Sequence, residues 1–391
     1  SREEMDAIYA YYFYRLLQRA ERVDILFNGS TEGVSTGEMS RYALQLIYEK
    51  DLEVIRPGLN VKAREINPIM VEHSEEASQK LMRYLQGSEE DRYLSPSAIN
   101  TYIDCSLKYY FRYIAGLGEM DEISEDIDAS GFGTVVHDSL NELYLEIARK
   151  NGGIISKEAL QDLLSSGRYE SQLKEQFIKH HYKGRRKESI EGRNILIFSV
   201  MLRYMKQVLE QDTFIAPFEL VAAEETYRRN LSIEVGGKSL ELSLGGKIDR
   251  IDRVKGQLRV IDYKTGRTDQ KFRDVESLFD GSYGSRNSAA LQTLFYAWLV
   301  GEIFSGKNAM PGLYSMKGLF EEEFDPALHM TSLKKEGRVD SFSPMEEQFL
   351  HELKEVLQQL FDSRVPFVQR AYDKKCGYCD FASLCQRKTI D

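Results

Sequence analysis

"GGKIDRIDRVKGQLRVIDYKTG", residues 245–266, is two short runs of β-branched and apolar residues alternating with charged ones, joined by Lys255-Gly256. Period-2 alternation is the signature of strands, and a two-residue connection ending in glycine is a hairpin turn. The register set by that turn places Asp249 directly opposite Asp262, with Cβ atoms about 4.5–5.5 Å apart. Alternation puts Lys264 on the same face as Asp262. Two carboxylates that close repel unless a cation lies between them, and hard oxygen ligands suit Mg²⁺ or Mn²⁺. A lysine beside them stabilises charge developing on a phosphate or orients an attacking water. The trio therefore suits phosphodiester cleavage, although the same residues taken alone also describe a surface hairpin with exposed ion pairs.

Outward from this hairpin, "AAEETYRRNLSIEV" and "KSLELSLGG" continue the strand pattern upstream, and "AALQTLFYAWLVGEIF" downstream is helical. A strand is expected near Gly312 to Lys317, a polar loop to Phe342, and then the helix "MEEQFLHELKEVLQQLFDS". On the N-terminal side, "LSPSAINTYIDC" opens a helix with Ser95 as N-cap and Pro96 in the first turn, and Cys105 falls at its end. "GFGTVVHDSLNELYLEIARK" is a second helix, with Val136, His137, Leu140, Leu143, Tyr144 and Ile147 on one stripe. More helix is expected from Lys157 to Leu209. A lone histidine on an apolar stripe reads first as a core residue.

The 391 residues exceed one ordinary domain and leave room for a sizeable core. No apolar run is long enough to span a bilayer and no signal-peptide pattern opens the chain, so a soluble, intracellular protein is expected. A net charge of -10 argues against a bulk electrostatic nucleic-acid binder, but carboxylates gathered for metal binding lower the net charge of a nuclease too. The densest basic run, Lys183 to Lys187, reads as a solvated loop.

"KKCGYCDFASLC", residues 374–385, holds Cys376, Cys379 and Cys385, and Cys105 completes a set of four. Four cysteines are too few to staple an unsecreted chain of this size, so a metal or redox role outranks disulfides. Four thiolates close a tetrahedral zinc site or hold an iron–sulfur cluster, and spacing alone leans to Zn²⁺.

Together these stretches resemble the PD-(D/E)XK nuclease superfamily, in its RecB-like branch of helicase-nucleases and Cas4 proteins. The branch's GxIDRID motif matches Gly246 to Asp252, DYKTG matches Asp262 to Gly266, GxxxH matches Gly133 to His137, and QxxxY matches Gln292 to Tyr296. The resemblance implies that Asp249, Asp262 and His137 hold Mg²⁺ or Mn²⁺ and that Lys264 is catalytic. It further implies that Gln292 and Tyr296 contact phosphate or the lysine from one helix face. It also calls for a glutamate upstream, for which Glu224 fits better than Glu225 because Tyr227 follows at the usual aromatic position. AddB-type and Cas4-type members carry C…C-x2-C-x5-C, which Cys105, Cys376, Cys379 and Cys385 match, and the implied group is a [4Fe-4S] cluster with zinc as the alternative. Ser106 stands where the family commonly has proline.

The first 50 residues, a helical pattern followed by a strand-like run from Val23 to Phe27 and a further helix, resemble the end of the second motor domain of superfamily-1 helicases, with Gln18-Arg19-Ala20 in place of a TRA-like motif. No Walker A segment is present, and Ser1 is not an initiator methionine, so the chain is expected to be the C-terminal part of a longer AddB-like or RecB-like polypeptide. The expected organisation is a helicase-derived α/β segment over 1–50, a linker over 51–93, and a nuclease domain over 94–391. That domain is α/β, a restriction-endonuclease-like mixed sheet flanked by helices. The resemblance implies a metal-dependent exonuclease acting on single-stranded DNA ends in the bacterial cytoplasm, with a helicase partner subunit of AddA type. The rival reading is a DNA-binding scaffold whose chemistry has been lost.

Overall fold

A computed structural model describes residues 2–25, 39–49, 68–118, 126–182, 189–266, 268–282, 286–304, 308–316, 318–321, 323–332, 337–371 and 374–387. The basic run at 183–187 lies outside them. Contacts divide the chain into two units, Ser1–Ile66 and Asn67–Asp391.

In the first unit the described residues form two helices, α1 (Arg2–Leu17) and α2 (Arg41–Glu49). They meet through the Tyr42 hydroxyl, which donates to the Asp6 carbonyl at 3.1 Å, and through an Arg41–Asp6 ion pair at 2.9 Å. Of the expected strand Val23 to Phe27, the first three residues carry no strand and the last two lie outside the described residues.

The second unit begins inside the stretch expected as linker. Strand β1 (Met70–Val71) and helix α3 (Glu75–Met82) lie there, and Ala77, Leu81 and Tyr84 are buried in the main core. The compact unit thus takes in residues 70–84 of the expected linker. Acidic and polar residues cover the outer face of α3, while Ala77 and Leu81, one turn apart, enter the core.

After α3 come α4 (Pro96–Asp104), α5 (Ser106–Tyr109), α6 (Ala129–Lys150), β2 (Ile154–Ile155), α7 (Lys157–Ser166), α8 (Arg168–Tyr182) and α9 (Asn194–Ile215). Three strands follow, β3 (Phe218–Val235), β4 (Lys238–Val254) and β5 (Gln257–Lys264), then β6 (Lys271–Phe272), α10 (Ser288–Val300) and β7 (Met310–Ser315). The chain ends with β8 (His329–Met330), β9 (Gly337–Arg338), α11 (Glu346–Phe361), β10 (Phe367–Val368) and α12 (Lys374–Gly377).

The central sheet has the order β2-β3-β4-β5-β7, antiparallel throughout except for the parallel pair β5–β7, whose crossover contains α10. On β5, Val260 enters a core shared with α3, α4, α10 and α11, whereas Ile261 enters one shared with α6 to α9. Adjacent strand residues point to opposite faces, so helices cover both sides of the sheet. This is the expected mixed α/β architecture.

The turn between β4 and β5 is Lys255-Gly256, with φ of 49° and 85°. Positive φ at both central residues is the type I′ geometry that fits the twist of a hairpin. The ladder it sets runs from Val254↔Gln257 to Arg250↔Ile261.

Candidate active site and cysteine pocket

The ladder stops one rung short of the carboxylates. Beyond Arg250↔Ile261, the Asp249 side chain takes over and accepts the Tyr263 backbone N–H at 2.7 Å. On the other flank β3 pairs Ala223 with Arg250 and Glu225 with Ile248, which leaves Glu224 facing Asp249 between them. Glu224 has φ +54°, the left-handed region that non-glycine residues occupy at a cost of about 1–2 kcal/mol. The apolar phase of β4 also changes here: Leu244, Ile248 and Ile251 all enter the same core, although strict alternation would separate Ile248 from Ile251. Strain and slipped phase coincide at the residues that form the site.

Helix α6 brings His137 to this point. Its Nε2 lies 3.1 Å from the Tyr263 carbonyl, which can only accept, so Nε2 carries the proton and Nδ1 is the ligating nitrogen. Nδ1 lies 3.5 Å from Asp249 Oδ1 and 3.7 Å from Glu224 Oε1. Ligand atoms of His137, Glu224 and Asp249 all fall within 4.8 Å of one another, the only such group among the described residues. Burial acts to lower the His137 pKa, but the Asp249 and Glu224 carboxylates push it up to about 10. Burial raises Asp249, but His137 and Lys264 outweigh it and hold the carboxyl below its usual range. An imidazole held cationic by two carboxylates marks a place that favours positive charge.

Asp262 lies beside this group and not within it. Its Oδ1 accepts from Lys264 Nζ at 3.0 Å and from Gln292 Nε2 at 3.2 Å, while its buried Oδ2, 2.8 Å from the same ammonium, has no hydrogen-bond partner. Burial pushes its carboxyl up to about 6 against the pull of Lys264, with the Asp249 charge adding to the rise. Of the expected ligand set, His137 and Asp249 fall within the gathered group, Glu224 joins them, and Asp262 borders it with its Oδ2 unpartnered. Glu225 turns away and accepts from the Tyr227 hydroxyl at 2.9 Å.

Gln292 and Tyr296, one turn apart on α10, bond to each other at 2.9 Å. Gln292 reaches Asp262 and not the lysine. The Tyr296 ring lies so close to β4 that a Cβ on Gly246 would meet its Cε1 at 2.7 Å, which accounts for glycine at the first position of the GxIDRID stretch.

Sequence reasoning missed the buried charges behind the site. Arg250 is 1% exposed and reaches Asp212 with NH1 at 2.5 Å and NH2 at 3.1 Å, Asp252 with Nε at 2.9 Å, and the Tyr263 hydroxyl at 2.7 Å. Arg259 closes on Asp252 with two bonds of 2.7 Å. Alternation was the available signal. With Asp249 on one face, Arg250 and Asp252 point into the opposite core, where charge requires partners.

The four cysteines line one cavity of about 140 Å³, together with Asp104, Lys108, Arg370, Lys375 and Arg387. Cys105 ends α4 and caps α5, its sulfur accepting the Lys108 N–H at 3.4 Å. Arg387 NH1 lies 3.0 Å from the Cys376 sulfur. Burial, with Cys105 and Cys379 nearby, raises the Cys385 thiol. Ser106 fastens the neighbouring strand: its Oγ accepts the Val368 N–H at 2.8 Å and donates to the Val368 carbonyl at 3.2 Å. Asp104 receives Arg286 at 2.9 Å and Lys375 at 2.9 Å, and Arg286 also holds Asn100 at 2.6 Å.

A family model described as the PD-(D/E)XK nuclease superfamily matches residues 93–386. Among curated proteins, an ATP-dependent helicase/deoxyribonuclease subunit from Streptococcus agalactiae is 31% identical over 190 residues, covering 48% of this chain and 15% of the relative. Proteins of the same name from Carboxydothermus hydrogenoformans and Clostridium acetobutylicum are 27% and 23% identical, over 62% and 76% of this chain and 22% and 30% of theirs. The chain therefore spans less than a third of these relatives. The crystal structure of SSO0001 is 19% identical, over 66% of this chain and 97% of that one, with a TM-score of 0.26. No described helix is long and apolar enough to cross a membrane.

Proposed function

Because the chain belongs to the PD-(D/E)XK nuclease superfamily, we propose that it is a Mg²⁺- or Mn²⁺-dependent deoxyribonuclease acting as an exonuclease on single-stranded DNA ends. The observation that carries this reading is the convergence of His137, Glu224 and Asp249 within 4.8 Å, with Asp262 and Lys264 alongside. Imidazole and carboxylate donors fit a small hard divalent cation. Such a cation, when bound, polarises a phosphoryl oxygen and lowers the pKa of water. His137 Nδ1, Asp249 and the unpartnered Asp262 Oδ2 would hold it, with Glu224 beside them, and Tyr263 fixes His137 and Asp249 through its backbone carbonyl and N–H. Lys264, three-quarters buried, neutralises charge developing on the phosphate. Gln292 and Tyr296 keep Asp262 turned towards the site.

The curated relatives are named as subunits of helicase/deoxyribonucleases, which supports a helicase partner of AddA type, a place in double-strand break repair in the bacterial cytoplasm, and a motor-domain origin for residues 1–50. The cysteine pocket is proposed to hold a [4Fe-4S] cluster. The four sulfurs line one cavity, and four thiolates are the ligand set that such a cluster takes, with Zn²⁺ as the alternative.

The test is incubation of the protein with end-labelled single-stranded DNA, with Mg²⁺ or with chelator, alongside Asp262→Ala. Products are expected only for the unaltered protein with metal; equal products in every lane, or none in any, overturn the reading. Anaerobically purified protein should be brown with a broad visible absorbance, whereas colourless protein with one zinc per chain reverses the cluster assignment.

A further inference from the structure

Two lysines border the site, Lys264 and Lys247. Lys247, on β4 just ahead of Asp249, forms an ion pair through its ammonium with Glu224 Oε2. Glu224 is thereby divided, its Oε1 facing His137 Nδ1 at 3.7 Å and its Oε2 facing the lysine. Lys264 holds Asp262 in the corresponding way. The two differ in access. The Lys264 side chain is 25% exposed, the Lys247 side chain 54%. An ammonium has three donors, and Glu224 accounts for one, so Lys247 keeps donors for the solvent side while its position is fixed from within.

Any polyanion reaching this site meets Glu224, Asp249 and Asp262 on a chain of net charge -10, so attraction has to come from cations at the mouth itself. We propose that Lys247 is a substrate-binding residue that grips a DNA phosphate adjacent to the scissile one, anchored for the purpose by Glu224. This rests on the nuclease reading and adds to it a second phosphate contact, beside Glu224 as Lys264 is beside Asp262. The competing role is charge compensation alone, with Lys247 neutralising Glu224 and touching nothing else.

Salt dependence separates the two roles. Each phosphate contact to a single strand contributes about 0.7 to the slope of log affinity against log salt. Binding of a fluorescent single-stranded oligonucleotide is measured by anisotropy in Ca²⁺, over a range of salt, for the unaltered protein, Lys247→Met and Lys247→Arg. Cleavage in Mg²⁺ is measured in parallel. Lys247→Met is expected to weaken binding about tenfold at low salt, to lower the slope by about 0.7, and to raise KM with kcat within about twofold. Lys247→Arg should restore the slope. An unchanged slope for Lys247→Met, whether or not kcat or metal affinity falls, reduces the residue to a holder of Glu224 and overturns the proposal. If the unaltered protein binds DNA with the Lys247-dependent slope yet never cleaves it, the nuclease reading fails and the phosphate contact stands. If it neither binds nor cleaves, both fall.

Discussion

Replacing Arg286 by methionine tests whether the cysteine pocket and the catalytic helix are built as one assembly. The Arg286 side chain is fully buried and donates to Asn100 Oδ1 at 2.6 Å, the Leu278 carbonyl at 3.1 Å, the Asn100 carbonyl at 3.3 Å and Asp104 Oδ2 at 2.9 Å. Asn100 in turn donates to the Ser288 carbonyl at 3.0 Å, at the start of α10. Removing one partner of a buried ion pair costs about 3–5 kcal/mol, chiefly because the groups left behind are desolvated and unpaired. Asp104 is 29% exposed and keeps Lys375 at 2.9 Å, so it is not stranded. The expected loss is therefore at the low end, about 3 kcal/mol. Trp298, the single tryptophan, lies buried on α10 and reports that helix directly in urea titrations followed by fluorescence. A cycle with Asp104→Ala should give a coupling of about 1–2 kcal/mol. Burial works to raise the Asp104 pKa, but Arg286 and Lys375 hold it below its usual value. A depressed carboxylate stabilises the fold above its unfolded pKa of about 3.9 and loses that contribution as pH falls, so the gap between wild type and variant should narrow on acidification. A loss below about 1 kcal/mol, or a coupling indistinguishable from zero, would refute the clamp.

Asp249→Asn should lower cleavage at least about 1000-fold and weaken Mn²⁺ binding in calorimetry, since it removes the negative charge and leaves one oxygen to serve both the cation and the Tyr263 N–H. In metal-free protein His137 is pushed up to about 10, so its contribution to stability is complete below about 6.5 and is lost as pH rises through about 10. Metal displaces that proton, and the apparent Mg²⁺ affinity should climb over the same interval; an affinity flat with pH would contradict it. Arg250→Met should cost about 3–5 kcal/mol in urea midpoints, because Asp212 is left buried with tyrosine hydroxyls as its remaining partners. Ser106→Ala removes both bonds to Val368 and should cost about 1–2 kcal/mol while leaving α6 and the catalytic group in place, as hydrogen exchange would show.

Much of this was readable in the chain because the deciding signals were local. A Lys-Gly turn fixes hairpin register without help from elsewhere, so the turn alone sets the pairing down to Arg250 and Ile261, the neighbours of Asp249 and Asp262. Ser95 and Pro96 announced α4 in the same local way, with the Ser95 hydroxyl accepting the Ala98 N–H at 3.2 Å. Choosing Glu224 over Glu225 rested on the position of Tyr227, whereas its geometric cause is a left-handed residue at a strand slip, which no propensity scale anticipates. The pairing of Arg250 with Asp212 and of Arg286 with Asp104 joins distant segments of the chain, and single-sequence patterning carries no information at that range. The packing of residues 77–84 against the main core has the same origin. Ala77, Leu81 and Tyr84 form a short stripe that looks weak beside its acidic neighbours, and becomes core only when the distal part of the β3–β4 hairpin packs on it.

The short ladder between β1 and β10 pairs Met70 with Val368 and Val71 with Phe367, and Gln369 donates its backbone N–H to the Ile69 carbonyl at 2.8 Å. Ser106 and the cysteine pocket lie against the same strand. The two ends of the folded unit are thereby fastened side by side. A tether pulling at Asn67 and a load carried by the C-terminal segment meet across this fastening, and tension passes from one to the other without crossing β4 and β5. In a pulling experiment the clasp should yield first, as a discrete short extension, with the catalytic sheet off the load path until it does.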